Sequence, residues 1–174
     1  MREEKFFLSR DSIIRHKEYL KELNLFYSVL EKSNQKLLGL SAEEILKSRI
    51  GAQNKSKAYK LKREIELHKL YFDSFDVYSL PKNRSSEEWA RLVKLFYSAN
   101  EALKNCENAK FLCFYINRQG EMNFHIVESY SNPMRENEIA AIDLCEHAYI
   151  FDYGYKKEKY LEEAFKFIKF KEKV

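Results

Sequence analysis

Apolar positions in the first half of the chain recur at helical spacing. Over residues 10–35 they return every three or four positions, and Ser9 stands directly before them as a candidate N-cap. Ser41 and Glu44 form a capping box that opens a short helix ending near Arg49. A third helical pattern spans residues 56–75. The pattern therefore predicts an antiparallel helical hairpin.

A polar stretch separates the last two of these helices, and a proline follows the third. Residues 51–57 are polar and are predicted to form a loop. Pro81 is expected to end the third helix, because proline cannot continue one without losing a hydrogen bond. We expect residues 1–80 to form the helical hairpin domain and residues 81–174 a second domain.

The second half of the sequence has a different residue pattern from the first half. Ser85 or Ser86 is predicted to cap a fourth helix. Residues 110–117 and 122–130 are rich in aromatic and aliphatic side chains and flank a turn with Gly120, which is typical of a strand hairpin. Residues 139–144 predict a third strand, with a turn after it, and residues 157–169 a closing helix. The expected fold class is α+β, with a three-stranded antiparallel sheet in the α/β domain.

Composition and charge exclude several classes of protein. The chain has 174 residues, 45% of them hydrophobic, which is enough to build a core. Its net charge of +4 is spread along the sequence, so we expect no nucleic-acid partner. No apolar run has the length of a membrane span, and none marks a signal peptide. Three cysteines without a close pair favour free thiols and a cytoplasmic location.

The strongest chemical signal is the spacing of Asp143 and His147. An aspartate and a histidine four residues apart, where a strand ends, can converge on one point. Imidazole and carboxylate ligands together suit iron or manganese. A buried hydrogen bond between the two side chains is the alternative interpretation.

This segment resembles the iron/manganese superoxide dismutases. The family carries Asp-x-Trp-Glu-His-Ala-Tyr before a closing aromatic helix, and the chain matches this order with Cys145 in the place of tryptophan. His68, followed by Phe72, resembles the family's His-x-x-Phe-Trp segment. His16, after the Leu8–Ser9 helix start, falls at the family's first ligand. The resemblance implies one iron or manganese ion per subunit, bound by His16, His68, Asp143 and His147. It also implies that the protein dismutates superoxide to oxygen and hydrogen peroxide.

The residues that surround the metal ligands in the family are matched less well in this chain. Two registers in which the first helix can be aligned with the family remain open. In the preferred register His16 is the ligand, Asn24 replaces the active-site tyrosine and Leu20 replaces the entrance histidine. In the competing register Asp11 is the ligand and Tyr19 is the active-site tyrosine.

A further departure concerns the family's glutamine, which hydrogen-bonds the metal-bound solvent. Glu64, one helical turn before His68, takes the glutamine's position in iron-type members. We expect Glu64 to be the outer-sphere partner of the centre; the alternative is a solvated helix glutamate.

The retained Glu146–His147 pair implies a homodimer. In the family this glutamate reaches the ligand histidine of the other subunit, whereas a local salt bridge is the alternative here. Two functions therefore remain: a superoxide dismutase, or a catalytically impaired metal-binding or structural member of the same fold.

Overall fold

Helices form the first half of the protein. The computed structural model describes residues 7–75, 84–132, 135 and 137–171. The helices here are α1 (Arg10–Ser33), a 3-10 helix (Gln35–Leu37), α2 (Ala42–Lys47) and α3 (Ala52–Ser74). The Ser9 side chain caps α1 by accepting a hydrogen bond from the Ser12 backbone N–H, as predicted. The capping box of Ser41 and Glu44 is also present.

The predicted loop at residues 51–57 is wrong. Helix α3 already begins at Ala52, and the Lys55 N–H donates to the carbonyl of Gly51 at 2.9 Å. The polar side chains of this first turn face solvent, so polarity here marks an exposed helix rather than a loop. The helix ends at Ser74; Pro81 lies outside the described residues.

The hairpin has its own small core. Helix α1 packs against α3, and α2 also packs against α3. Buried apolar side chains fill the space between them: Leu23, Tyr27, Leu37, Ala42, Ile45, Ile50, Ala58, Tyr59 and Ile65. This packing places the N-terminal half of α1 beside the C-terminal half of α3 and leads both toward the sheet.

The second half contains the predicted sheet. Its strands are β1 (Phe111–Ile116), β2 (Met122–Val127) and β3 (Glu138–Asp143), antiparallel in the order β2-β1-β3. Cys113 pairs with His125 on one side and with Ala141 on the other. Phe111 touches His68 of α3, so α3 covers the face from which Phe111 and Cys113 project.

Helix α6 (Lys157–Phe167) packs on the other face of the sheet, and α4 (Ser86–Lys104) packs against α6. Helix α5 (Glu146–Tyr153) packs against α1 and α6. Phe165 of α6 meets Phe114 of β1 edge to face, with ring centroids 5.5 Å apart. Helix α5 stands where a turn is predicted; its first turn carries His147.

The α+β fold class is confirmed. The larger core joins residues of α1 and α3 with the sheet and with α4 to α6, so the two halves share apolar surface. The predicted boundary between residues 80 and 81 lies outside the described residues. In the described part of the chain, every helix is too short or too polar to cross a bilayer.

Candidate metal centre

Four predicted ligands converge on one point, and we call them the Asp143 cluster. His16 comes from α1, His68 from α3, Asp143 from the end of β3 and His147 from the first turn of α5. One ligand atom from each lies within 4.8 Å of every other. His16, His68 and Asp143 are buried, whereas the His147 side chain is 32% exposed. Four separate elements must therefore fold together before the cluster exists.

The distances in the Asp143 cluster fit a transition-metal ion. Asp143 Oδ2 lies 2.9 Å from His147 Nε2, 3.1 Å from His16 Nε2 and 3.3 Å from His68 Nε2. Two donors that bind a shared ion at about 2.1 Å and at right angles stand about 3 Å apart. The observed spacing therefore suits a common ion without a large rearrangement.

Hydrogen bonds orient two of the ligands. His68 Nδ1 lies 2.8 Å from the backbone carbonyl oxygen of Glu64, which leaves Nε2 to face the cluster. The Cys145 backbone N–H donates to Asp143 Oδ1 at 2.8 Å, so Oδ2 points to the histidines. These contacts set which atom each side chain can offer to an ion.

His16 is oriented differently. Among the described residues, neither of its buried ring nitrogens has an aligned hydrogen-bond partner. Its ring packs against Tyr71 and Phe72, each with centroids 4.9 Å away. A buried nitrogen without a partner costs free energy unless something binds it, and an ion in the Asp143 cluster would do so.

The charges of the Asp143 cluster favour a cation. Burial opposes ionisation of Asp143, but its close contacts with His147, His16 and His68 outweigh the effect of burial and hold the pKa of Asp143 well below its ordinary value. Burial lowers the pKa of His16 despite its contact with Asp143. For His68, burial is outweighed by Asp143, which raises the pKa. The cluster thus offers an anionic oxygen and at least one neutral imidazole.

A tyrosine and a glutamate lie beside the ligands. The ring of Tyr19 is 4.5 Å from that of His147 and 5.3 Å from that of His68. Its hydroxyl donates a hydrogen bond of 2.7 Å to Glu64 Oε1. Burial and the contact with Glu64 raise the pKa of Tyr19, so the phenol keeps its proton and is the donor.

Comparison with protein families decides the identity of the chain. A sequence model described as iron/manganese superoxide dismutases, C-terminal domain, matches residues 82–173. The chain belongs to the iron/manganese superoxide dismutases. The match includes Asp143 and His147, while His16 and His68 lie before it. A comparison with curated proteins finds no match.

The structure combines the two registers predicted for this superoxide dismutase-like chain. His16 joins the cluster, as in the preferred register, but Tyr19 lies beside it, as in the competing one. Asp11 is exposed in the first turn of α1. Asn24 is exposed and donates to the Leu20 carbonyl at 2.7 Å.

Asn24 therefore does not take the place of an active-site tyrosine. It lies eight residues beyond His16, about 12 Å along the helix. Tyr19 follows His16 by three residues, which places both side chains on one face of α1. This spacing was visible in the sequence, but only as part of the competing register.

Two further residues of the family motif, Cys145 and Glu146, lie next to the ligands in the sequence. Cys145 is half-buried, and its Sγ lies 3.7 Å from the Lys110 carbonyl oxygen. Burial raises the pKa of the Cys145 thiol, so it remains protonated near neutral pH. Glu146 is exposed at the start of α5, next to the partly exposed His147.

A second buried polar cluster lies under α3, and we call it the Arg63 cluster. Arg63 binds both carboxylate oxygens of Glu138, at 2.9 and 2.6 Å. His125 Nε2 lies 2.9 Å from Glu138 Oε1, and Cys113 completes the group. Cys113, His125 and Glu138 have the residue types of a metal site, but the Arg63 guanidinium already supplies a cation to this carboxylate.

Proposed function

We propose that the protein dismutates superoxide to oxygen and hydrogen peroxide at one iron or manganese ion per subunit. The ligands in this proposal are His16, His68, Asp143 and His147. The observation that carries it is the convergence of four donor atoms within 4.8 Å in a member of this family. The bound ion would supply the one-electron chemistry by alternating between its +3 and +2 states.

The chain's own residues would prepare the site for the ion. Asp143 contributes a negative charge that offsets part of the ion's charge in a buried place. The low pKa of His16 keeps its imidazole neutral and its lone pair available. The hydrogen bond from His68 Nδ1 to Glu64 fixes Nε2 as the ligand atom.

Tyr19 and Glu64 are the proposed outer-sphere groups. Their hydrogen bond of 2.7 Å places a phenol and a carboxylate next to two ligand rings. Tyr19 would help to carry protons to the reduced oxygen, and an ionised Glu64 would favour the more positive state of the metal.

Glu64→Gln tests this role because it removes one charge and keeps the shape. We expect it to shift the absorption spectrum or the reduction potential of the metal. Glu66→Gln is the matched control: Glu66 is on the same helix but accepts a hydrogen bond from the Ala42 N–H instead. A spectrum and potential that Glu64→Gln leaves unchanged would contradict an outer-sphere role.

We also propose a homodimer formed through Glu146 and His147. Glu146 is exposed, and the 32% exposure of His147 leaves a ligand edge that a second subunit could cover. Glu146→Ala should weaken the dimer and expose the metal to chelators. Sedimentation that finds only monomer at micromolar concentration would remove this part of the proposal.

The three free cysteines support the cytoplasm as the compartment.

The test of the main proposal is a dismutation rate per bound metal, with iron and manganese counted in the same sample. We expect His147→Ala to abolish both metal binding and the rate. His125→Ala is the matched control, because His125 belongs to the Arg63 cluster and should keep both. Wild-type protein that binds neither metal would contradict the proposal.

A second function is favoured by one set of observations. Glu64 stands at the position of the family's glutamine and, in the register with His16 as the ligand, Leu20 stands at that of the entrance histidine, so groups that deliver protons in the family are altered. A full complement of metal with a negligible rate would identify a catalytically impaired metal-binding or structural member of the fold.

A further inference from the structure

The buried hydroxyl of Tyr160, on α6, contacts the backbone of a proposed metal ligand. Tyr160 is fully buried, and its hydroxyl donates a hydrogen bond of 2.8 Å to the backbone carbonyl of Asp143. The same oxygen lies 3.4 Å from the hydroxyl of Tyr71. A phenol has one proton to donate, and Tyr160 gives its proton to Asp143 over the shorter distance. Tyr71 is therefore the donor to Tyr160.

These hydrogen bonds end at Tyr71, whose ring packs against a second ligand, His16. His16 has no aligned hydrogen-bond partner among the described residues, and the Tyr71 ring packs against it. Tyr160 is thus linked to two of the four ligands: to Asp143 through its carbonyl, and to His16 through the ring of Tyr71.

We propose that Tyr160 is a positioning residue for the metal centre, acting on Asp143 directly and on His16 through Tyr71. This inference rests on the proposed function, since it presumes that these ligands bind an ion. Helix α6 would then set the ligand geometry although no side chain of α6 belongs to the Asp143 cluster.

The ring and the hydroxyl of Tyr160 have separable tasks. The ring packs among Phe7, Tyr149 and Tyr153, with centroids 5.4, 5.0 and 5.5 Å away. Phenylalanine would fill that space equally well. The exchange Tyr160→Phe therefore removes the positioning hydroxyl while it keeps the core packed.

The experiment compares Tyr160→Phe with Tyr153→Phe. Tyr153 also touches the Tyr160 ring, but its hydroxyl donates to the Phe7 carbonyl, away from the ligands. We expect Tyr160→Phe to lose metal to a chelator about tenfold faster than wild type and to shift the metal's absorption spectrum. Tyr153→Phe should leave both unchanged. Tyr71→Phe should have a smaller effect, because the bond from Tyr160 to Asp143 remains.

A measurement on metal-free protein separates this inference from the proposed function. The NMR signals of the His16 ring should move in Tyr160→Phe and stay in place in Tyr153→Phe. Wild-type protein that fails to bind iron or manganese would contradict the proposed function. The NMR comparison would still decide whether Tyr160 positions His16. Unchanged His16 signals in Tyr160→Phe, or a chelator rate and spectrum equal to wild type, would overturn the inference.

Discussion

The two buried polar clusters of this protein share helix α3 and strand β3. Arg63 and His68 both come from α3, and Glu138 and Asp143 stand at the two ends of β3. Each cluster has a buried carboxylate at its centre, with the Glu138 side chain 5% exposed and the Asp143 side chain 0% exposed. They differ in what surrounds that carboxylate.

Glu138 is paired with a permanent cation, whereas no arginine or lysine of the described residues is paired with Asp143. The Arg63 guanidinium binds both oxygens of Glu138, so the buried charges of the Arg63 cluster are balanced within the chain. Asp143 is surrounded by three imidazoles, and the nitrogens of one of them, His16, make no aligned hydrogen bond in the described part of the chain. The contrast shows that residue types alone do not identify a metal site. A buried carboxylate that is not neutralised by an arginine or a lysine, and that lies beside imidazole nitrogens, is the better indicator.

The largest effect is expected from exchanging the two carboxylates for amides, one at a time. Asp143→Asn should lower metal affinity by more than about 100-fold, because it removes the carboxylate ligand of the proposed centre. Glu138→Gln removes the same charge from the Arg63 cluster and should leave the metal content of the folded protein unchanged. Elemental analysis of both variants, purified in parallel, checks this. Equal metal loss in the two variants would contradict the proposed difference between the Asp143 cluster and the Arg63 cluster.

The next effect concerns stability. Arg63→Met leaves Glu138 buried without its cation, and we expect a loss of about 3–5 kcal/mol in the free energy of unfolding. Chemical denaturation of the metal-free protein measures it. The double variant Arg63→Met with Glu138→Leu should recover most of the loss, because it leaves no buried charge. A single variant as stable as wild type would show that the ion pair contributes little.

The smallest effect is in the dependence of stability on pH. Burial opposes the ionisation of Glu138, but His125 and Arg63 outweigh it and lower its pKa; the pKa of Asp143 is also lowered, as described above. A lowered pKa contributes stability above the unfolded value of about 4, and that stability is lost as the pH falls through the folded pKa.

Metal-free wild type should therefore lose stability below about pH 4. Its free energy of unfolding should fall more steeply with decreasing pH than that of Asp143→Asn, which has one carboxylate fewer to protonate. Thermal unfolding at several pH values between neutrality and pH 3 gives the two slopes. Identical slopes would mean that the histidines do not hold Asp143 in its ionised form.

Local signals predicted most of the fold. The caps at Ser9 and Ser41, the turn at Gly120 and the strands rich in aromatic and aliphatic residues depend on neighbours in the sequence, and the structure contains each of them. The start of α3 was missed because its first turn is polar and has no side-chain cap at Gly51. Helix α5 was missed because its N-cap position, Cys145, likewise makes no side-chain cap hydrogen bond.

The site was less accessible to sequence reasoning. The motif around Asp143 indicated the ligands, but Tyr19 and Asn24 could be told apart only by their positions on a folded helix. Contacts such as those between Arg63 and Glu138, or Tyr160 and Asp143, join residues far apart in the chain or on different elements. No periodicity or local motif encodes such pairs, since they arise only when α3, β3 and α6 pack together.

The bidentate bond between Arg63 and Glu138 has a consequence for how this lineage can change. It joins α3 to β3 through groups of the chain itself, so this contact between the two elements does not require an ion in the Asp143 cluster. The fold would then tolerate substitutions that remove a metal ligand. Selection for metal-dependent activity could relax before selection for the folded structure. A descendant could keep this architecture for another purpose after its redox role had decayed.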